Sequence, residues 1–281
     1  MKKEGHNMSD IIYTPRGKAR EYSPYALNIY NGCDHDCIYC YVKIMKLQRY
    51  RASDEIRPRE NIIEKLEKQL KRQEITDQVL LCFLGDPYCK ADIQYKTTRE
   101  VLELLLKYNI PTAILSKGGN RILRDIDLFE KFENIKIGAT LTLIEERESL
   151  QYEPGAALPR ERIEVLRMLH YKGIKTWVSF EPVINPLITY KLLELSYPFV
   201  DQYKVGKMNH LKSDINWKEF GDKIYKKLMK YNKRFYIKKD LYKYMNIILD
   251  DRYIDQDYLA LKKPISKIAT KVIGISQPTL F

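Results

Sequence analysis

Three of the five cysteines of this chain fall in one short segment, Asn31-Gly32-Cys33-Asp34-His35-Asp36-Cys37-Ile38-Tyr39-Cys40-Tyr41. Soft thiolates this close together suit zinc or an iron–sulfur cluster. A cubane held by protein alone needs four cysteine ligands, and structural zinc usually draws on ligand pairs from two separated segments. No second Cys/His pair with suitable spacing follows in the sequence. Three thiolates would therefore leave one iron of a cubane without a protein ligand.

Around this segment, short apolar runs alternate with amphipathic stretches. The strand candidates are residues 26–30, 79–84, 112–115, 135–141, 176–180, 202–205 and 234–237, and the helix candidates are residues 61–72, 96–108, 160–171, 187–195 and 217–231. Such alternation predicts parallel strands joined by right-handed crossovers, which is an α/β fold. The cysteine segment directly follows the first of these strands.

Polar residues follow the ends of nearly every predicted strand. They include Gly85 and Asp86, Ser116 and Lys117, Thr140 and Thr142, Glu181, the run from Gly206 to His210, and Lys238. In (β/α) barrels the chemistry gathers at the carboxyl ends of the strands. Because these polar residues all follow carboxyl ends of strands, they favour a partial or closed (β/α) barrel of six to seven parallel strands over a doubly wound sheet. We expect a lead-in segment over residues 1–25, the barrel domain over residues 26–261 and a tail over residues 262–281.

Composition and charge indicate where the protein acts and what kind of partner it binds. The chain has 281 residues, of which 44% are hydrophobic, and a formal net charge of +12. No apolar run is long enough to span a membrane, and the polar start lacks a signal-peptide core, so we expect a cytoplasmic protein without a membrane partner. The positive charge favours a polyanionic partner, with nucleic acid the first candidate. A genome biased towards Lys, Ile and Tyr would produce the same balance without functional pressure.

The Cys33-x3-Cys37-x2-Cys40 spacing, with an aromatic residue before the last cysteine, resembles the radical S-adenosylmethionine superfamily. The resemblance implies a 4Fe–4S cluster on the three cysteines, whose fourth iron is chelated by the methionine moiety of S-adenosylmethionine. Reductive cleavage then generates a 5′-deoxyadenosyl radical, and an electron donor such as a flavodoxin or ferredoxin is required. The alternative is a zinc-stabilised nucleic-acid-binding protein in which His35 supplies the fourth ligand.

Within that superfamily, residues 26–210 are similar to spore photoproduct lyase and its relatives. The likeness rests on the cysteine segment and on Asp86-Pro87-Tyr88, Ser116-Lys117, Arg124-Asp125 and Glu153-Pro154-Gly155. It implies that Gly85 and Asp86 receive the amino group of the cofactor, that Ser116 and Lys117 lie near its carboxylate, and that Thr140 or Thr142 reaches its ribose. Asp86 as a cap and the threonines as ordinary strand formers are the structural alternatives.

The resemblance implies a lyase-like enzyme that acts on damaged or modified DNA, with RNA or a peptide as the alternative substrate. The lyase uses a thiol on its second strand, but Cys82 falls one residue away from that position. Since strand side chains alternate faces, we interpret Cys82 as a buried hydrophobe. Cys89, on the following loop, is the better candidate for redox chemistry or hydrogen donation. Tyr39 and Tyr41 either relay a radical or pack against the cluster.

The last residues carry a second link to DNA. Gln277, Leu280 and Phe281 form a terminal Gln-x-x-Leu-Phe peptide, which resembles the segments that dock repair proteins onto a sliding clamp. Leu280 and Phe281 would fill an apolar pocket while Gln277 makes polar contacts. The alternative is an ordinary chain end.

Overall fold

Eight strands form one sheet in the computed structural model, which describes residues 10–44, 55–249 and 256–261. The strands are β1 (Ile12–Tyr13), β2 (Tyr25–Leu27), β3 (Val79–Leu81), β4 (Thr112–Ser116), β5 (Ile135–Thr140), β6 (Lys175–Phe180), β7 (Gln202–Val205) and β8 (Arg234–Ile237). They lie in sequence order; β2 to β8 are parallel and β1 is antiparallel to β2. Among the described residues β1 and β8 are the two edges, so the sheet is open, as in a partial barrel.

Helices cover the sheet between successive parallel strands. The described residues contain α1 (Tyr41–Ile44), α2 (Ile62–Arg72), α3 (Ala91–Tyr95), α4 (Thr97–Lys107), α5 (Ile126–Phe129), α6 (Glu146–Tyr152), α7 (Pro159–Tyr171), α8 (Pro186–Ser196), α9 (Trp217–Lys230) and α10 (Lys239–Tyr242). None of these helices combines the length and the apolar character needed to cross a membrane. The predicted α/β fold with seven parallel strands is confirmed.

Strand β1 was not predicted and lies in the expected lead-in segment. Two residues are too short to show a periodic pattern, and side-chain contacts from α2 hold this strand in place. The buried Gln69 accepts hydrogen bonds from the N–H groups of Ile11 and Ile12 (both 2.9 Å) and donates to the Ile12 carbonyl (2.9 Å). Its amide thus satisfies backbone groups at the sheet edge.

Strands β2 and β3 end earlier than predicted, at Leu27 and Leu81. Asn28 explains the difference, because its side-chain oxygen accepts hydrogen bonds from the backbone N–H groups of Phe83 and Leu84 (both 2.8 Å). The Asn28 side chain thus replaces the backbone hydrogen bonds that would otherwise continue between β2 and β3. The chain can then turn into the loops that follow both strands.

A small cluster around Trp177 packs in the interior of the curved sheet. Trp177 on β6 lies across β5 and donates a hydrogen bond from Nε1 to the Ile114 carbonyl (3.0 Å). A Cβ on Gly138 would stand 2.5 Å from this indole, so only glycine leaves room for it. Trp177 packs with Tyr22, Leu80 and other apolar residues. This cluster fills the sheet interior below the strand ends.

The segment between β1 and β2 connects the two edges of the open sheet. Its 3₁₀ helix, Gly17–Glu21, precedes Tyr22. The buried Glu21 carboxylate accepts hydrogen bonds from the Tyr236 hydroxyl (3.0 Å) and the Lys239 N–H (2.8 Å), and its carbonyl accepts one from Lys204 Nζ (2.7 Å). The gap between the first strands and β8 is therefore partly closed by the lead-in segment. The predicted tail, residues 262–281 with Gln277, Leu280 and Phe281, lies outside the described residues.

Candidate active site

A cavity of about 1210 Å³ opens at the carboxyl ends of the parallel strands. Each of the strands β2 to β8, or the loop that follows it, contributes to its wall. The predicted site residues that line it are Cys33, Cys37, Cys40, Tyr39, Tyr41, Gly85, Asp86, Ser116, Lys117 and Thr140. The arrangement agrees with the expectation that polar strand ends meet at one edge of the sheet.

We call residues 31–41 the cysteine loop. Its backbone is held by the segment between α6 and α7: Gly155 N–H donates to the His35 carbonyl (3.0 Å), and Ile38 N–H donates to the Tyr152 carbonyl (3.0 Å). A Cβ on Gly155 would collide with the Asp34 carbonyl oxygen. On the other side, a Cβ on Gly85 would stand 2.7 Å from the Gly32 carbonyl oxygen. Two glycines outside the loop thus allow neighbouring backbone to approach it closely.

Replacing Gly155 by alanine is expected to displace the cysteine loop, because the new methyl group meets backbone rather than a movable side chain. We expect a loss of about 1–3 kcal/mol in the free energy of unfolding and less iron bound after anaerobic reconstitution. Urea unfolding and iron analysis measure the two effects. Pro154→Ala, at the exposed neighbouring position, is the matched control. Equal iron content and stability in the two variants would contradict the packing argument.

The three thiols of the loop share one cavity and differ in their surroundings. Burial raises the pKa of the Cys33 thiol and that of the Cys37 thiol, while Lys117 opposes the effect on Cys37. Without metal these two thiols therefore hold their protons at neutral pH. Iron binding must displace the protons, since thiolate is the ligand form. Three soft donors on one short loop fit three irons of a cubane.

His35 does not complete this set. It is 3% exposed, with Nδ1 3.4 Å from Asp86 Oδ2 and Nε2 3.2 Å from Arg121 Nη2. Burial lowers the pKa of His35, so its ring is neutral, and Nε2 accepts from the Arg121 guanidinium. The ligand atoms of Cys33, Asp34 and His35 lie within 4.8 Å of one another, but both imidazole nitrogens already have protein partners. The alternative of a zinc ion with His35 as fourth ligand does not fit this geometry.

Asp86 joins three loops around the cavity. Its Oδ1 accepts from Ser116 Oγ (2.7 Å) and Tyr88 N–H (2.8 Å), and its Oδ2 accepts from Lys117 N–H (2.7 Å) and faces His35. Both oxygens are therefore occupied by protein contacts. This arrangement supports the capping role that was the alternative for Asp86, and it places Asp86 where it orients Ser116 and Lys117.

Lys117 lies at the end of β4, beside the cysteine loop. Its ammonium group is 5.5 Å from the centre of the Tyr39 ring. Burial by itself lowers the pKa of Lys117, but the Cys37 sulfur in its thiolate form and the Glu153 carboxylate outweigh it, and the net pKa lies above its ordinary value. Lys117 is therefore a firmly positive group at the cavity wall, next to the cysteines.

A buried ion pair between Arg162 and Glu153 holds the Tyr39 hydroxyl. Arg162 on α7 and Glu153 are each 1% exposed and lie 2.5 Å apart. Glu153 also accepts hydrogen bonds from the Tyr39 hydroxyl and from Thr142 Oγ1 (2.9 Å), and Arg162 donates to the Thr140 carbonyl (3.1 Å). The pair thus ties the cysteine loop to the end of β5. The sequence offered Glu153 only as part of a resemblance and did not indicate Arg162.

The remaining candidates divide into those that reach the cavity and those that do not. Thr140 lines it, whereas Thr142 is used by Glu153. Tyr41 lines it and donates a hydrogen bond to the Phe83 carbonyl (2.5 Å). Cys89 was expected on the loop above the barrel, but its side chain is 0% exposed and packs in the core. Cys82 is the thiol outside the cysteine loop that lines the cavity, and burial raises its pKa to about 12.

These features have counterparts in known proteins. The family model described as the radical SAM superfamily matches residues 27–194, which is more than half of the chain and includes the cysteine loop. The chain belongs to the radical SAM superfamily. Radical SAM enzymes use a 4Fe–4S cluster and S-adenosylmethionine, and the three loop cysteines fit the cluster as described above.

Sequence and structural relatives agree with this membership. The chain is 29% identical over 204 residues to the uncharacterized protein MJ0683 of Methanocaldococcus jannaschii, covering 72% of this chain and 76% of the relative. Spore photoproduct lyase complexed with a dinucleoside spore photoproduct superposes with a TM-score of 0.61 at 13% identity, covering 80% of this chain and 78% of the lyase. At this identity the likeness shows the fold alone.

The radical SAM fold is shared with a second solved enzyme. Streptococcus suis SuiB bound to S-adenosylmethionine superposes with a TM-score of 0.57 at 13% identity, covering 75% of this chain. The chain spans about half the length of SuiB, 49%. Another SuiB structure holds the precursor peptide SuiA. The fold therefore accommodates both a dinucleoside and a peptide, and substrate class has to be argued from the residues of this chain.

Proposed function

We propose that this radical SAM enzyme acts on a damaged or modified base in DNA, with lyase-like chemistry. The observation that carries the proposal is a set of basic side chains on the wall of the cavity that contains the cysteine loop. In addition to Lys117 and Lys238, these are Arg16, Lys18, Lys43 and Lys207. A polyanion that approaches the cavity would meet positive charge from several directions.

The charges in this set are paired to different degrees. Lys18 pairs with Asp240 (2.7 Å), and Lys43 pairs with Asp36. Within the described part of the chain, Arg16 and Lys207 have no carboxylate within ion-pair distance. They are therefore the best candidates for contacts with backbone phosphates. Such contacts position a nucleic acid without reading its sequence.

When bound, the cluster and S-adenosylmethionine supply a 5′-deoxyadenosyl radical that abstracts hydrogen from the substrate. We assign Cys33, Cys37 and Cys40 to the cluster and Lys117, with its firmly positive charge, to the cofactor carboxylate. Asp86 orients the Lys117 backbone and the Ser116 hydroxyl. The positions of Gly85 and Thr140 on the cavity wall suit contacts with the rest of the cofactor. A base has to leave the duplex stack to reach such a cavity.

DNA binding tests the proposal. We expect labelled single-stranded DNA to bind with an affinity that falls linearly as the logarithm of salt concentration rises. The Arg16→Ala/Lys207→Ala double variant should bind more weakly and show a shallower salt slope, by about two phosphate contacts. Lys226→Ala, on an exposed face of α9, is the matched control. Absent DNA binding, together with tight binding of RNA or of a peptide, would overturn the choice of DNA.

Lys117→Met is expected to weaken the binding of S-adenosylmethionine by about 10- to 100-fold, because a charge-assisted contact with the cofactor carboxylate is lost. Equilibrium binding to reconstituted enzyme measures the effect, and iron content should stay unchanged. Lys90→Met is the control, since Lys90 is exposed and contacts the cysteine loop through its backbone N–H. An unchanged dissociation constant for Lys117→Met would remove this residue from the cofactor site.

We also propose that the protein takes its electron from a donor such as a flavodoxin or ferredoxin and that its last residues bind a sliding clamp. Deletion of residues 277–281 tests the clamp peptide, because clamp binding should be lost if Gln277, Leu280 and Phe281 form the docking segment. Clamp affinity of the shortened chain equal to that of the full chain would exclude this role.

A further inference from the structure

A second group of polar side chains lines the cavity at the ends of the last strands. It is formed by Ser179 and Glu181 at the end of β6, Asn209 after β7, Lys238 after β8, and Tyr22 from the lead-in segment. The cysteine loop follows β2, and Asp86 and Lys117 follow β3 and β4. Because the strands lie in sequence order, most of this second group comes from the β6–β8 part of the sheet, whereas the first group comes from β2 to β4.

This wall is a connected hydrogen-bond network centred on Glu181. Glu181 Oε2 accepts from Lys238 Nζ (2.6 Å) and from the Tyr22 hydroxyl (2.6 Å), and Oε1 accepts from Asn209 Nδ2 (3.2 Å). The Tyr22 oxygen is 2.7 Å from Ser179 Oγ, which can donate to it. Lys238 is 3% exposed and Tyr22 is 8% exposed. Packing and mutual contacts therefore hold the network in one arrangement.

Hydrogen-bonding capacity is left over on both members of the ion pair. An ammonium group has three donors, and the contacts of Lys238 are one carboxylate oxygen and the face of the Tyr22 ring, 4.7 Å from its centre. A carboxylate oxygen can accept two hydrogen bonds, and Glu181 Oε1 receives one from Asn209. The wall thus presents an acceptor and a donor side by side, with no net charge on the pair.

A group that matches this pattern is neutral and planar and carries an N–H beside an acceptor. We propose that Glu181 and Lys238 bind the Watson–Crick edge of a nucleobase. Glu181 accepts from an N–H of that edge, and Lys238 donates to the adjacent carbonyl oxygen or ring nitrogen. A methyl group on N3 of thymine removes the N–H, which leaves the Glu181 oxygen without that partner.

The surroundings of the pair favour a base over a peptide amide. Phe83, which is only partly buried, lines the same cavity and offers apolar ring surface to a planar base. The basic side chains described above suit the phosphates that accompany a base. The inference rests on the proposed action on DNA and specifies which face of the cavity binds the target.

Binding of short oligonucleotides without reductant tests the inference. Each probe places one base among abasic positions, so that all probes share the same backbone. We expect probes with an unmodified base to bind about 10- to 100-fold more tightly than the N3-methylthymine probe and the wholly abasic strand. The Glu181→Met/Lys238→Met double variant should lose this preference while it keeps its iron content. Replacing both partners avoids an unpaired buried charge, and Lys239→Met, at an exposed position, is the control.

The possible outcomes separate the inference from the function on which it rests. Equal binding of all probes overturns the inference but leaves action on DNA intact. A preference that persists in the double variant also overturns it, because other residues would then read the base. If no probe binds and an unrelated peptide does, both the inference and the proposed function fail.

Discussion

Replacing Cys37 by serine is expected to reduce iron binding from about four atoms per chain to near zero and to abolish cleavage of S-adenosylmethionine. A serine hydroxyl is a hard oxygen donor that stays protonated at neutral pH, whereas iron–sulfur clusters select soft thiolates. Cys37 is also buried, at 7% exposed. Anaerobic reconstitution followed by iron analysis, visible absorption and assay of 5′-deoxyadenosine measures the loss.

Cys82→Ala provides the matched control for this prediction. Cys82 lines the same cavity but lies outside the cysteine loop, so its variant should keep the cluster and cleave the cofactor. A variant at Cys37 with full iron content would show that the loop does not hold the cluster as assigned. Zinc in the purified, oxygen-protected wild-type protein would contradict the assignment more directly.

Arg162→Met is expected to lower the free energy of unfolding by about 3–5 kcal/mol, because it leaves the buried Glu153 carboxylate without its counter-charge. Arg162 also donates hydrogen bonds to the carbonyls of Ala157 (2.7 Å) and Thr140. Loss of these contacts should loosen the segment that holds the cysteine loop. We therefore expect poorer iron retention as well as lower stability, measured by urea unfolding and iron analysis of the same samples.

Two further variants show whether charge or packing carries this effect. The Glu153→Gln/Arg162→Met double variant removes both charges and should recover a large part of the stability. Arg160→Met, at an exposed position of the same helix, should change stability by less than about 0.5 kcal/mol. If Arg162→Met and Arg160→Met have equal stability, the ion pair does not support the fold.

The same ion pair predicts a direction for the pH dependence of stability. Burial alone raises the pKa of Glu153, but Arg162 and Lys117 outweigh burial, and the net pKa lies below the ordinary value of 4.5. A carboxyl whose pKa is lower in the folded state stabilises that state above its unfolded pKa. Its contribution is therefore present at neutral pH and is lost as the pH falls below about 4.5.

Local patterns in the sequence were sufficient to predict the parallel strands of the protein and their order. The apolar runs predicted all seven parallel strands, and β7 and β8 have the predicted bounds. Strand alternation with helices predicted that the polar strand ends meet at one edge of the sheet, and most of those residues line one cavity there. These features depend on short-range periodicity and on chain direction, which a single sequence displays directly.

Side-chain contacts over long sequence distances could not be predicted in this way. Cys89 follows a strand end, as site residues do, but the tertiary packing buries it. Thr140 and Thr142 should share a face in a regular strand, yet β5 ends at Thr140, and Thr142 turns to Glu153. Asp86 resembles a cofactor ligand in sequence, whereas its four partners come from three separate loops.

The sequence by itself therefore determined the order of strands and helices and the position of the cysteine loop, because these depend on residue type and on close spacing, while the resemblance to a known family implied the cluster. Tertiary structure decided which side chains reach the cavity, and it revealed the Glu153–Arg162 and Glu181–Lys238 pairs. The partners in the second pair are 57 residues apart in the chain. The physical reason is that burial and hydrogen bonding are satisfied between elements far apart in the chain, after the sheet has curved and brought its strand ends together.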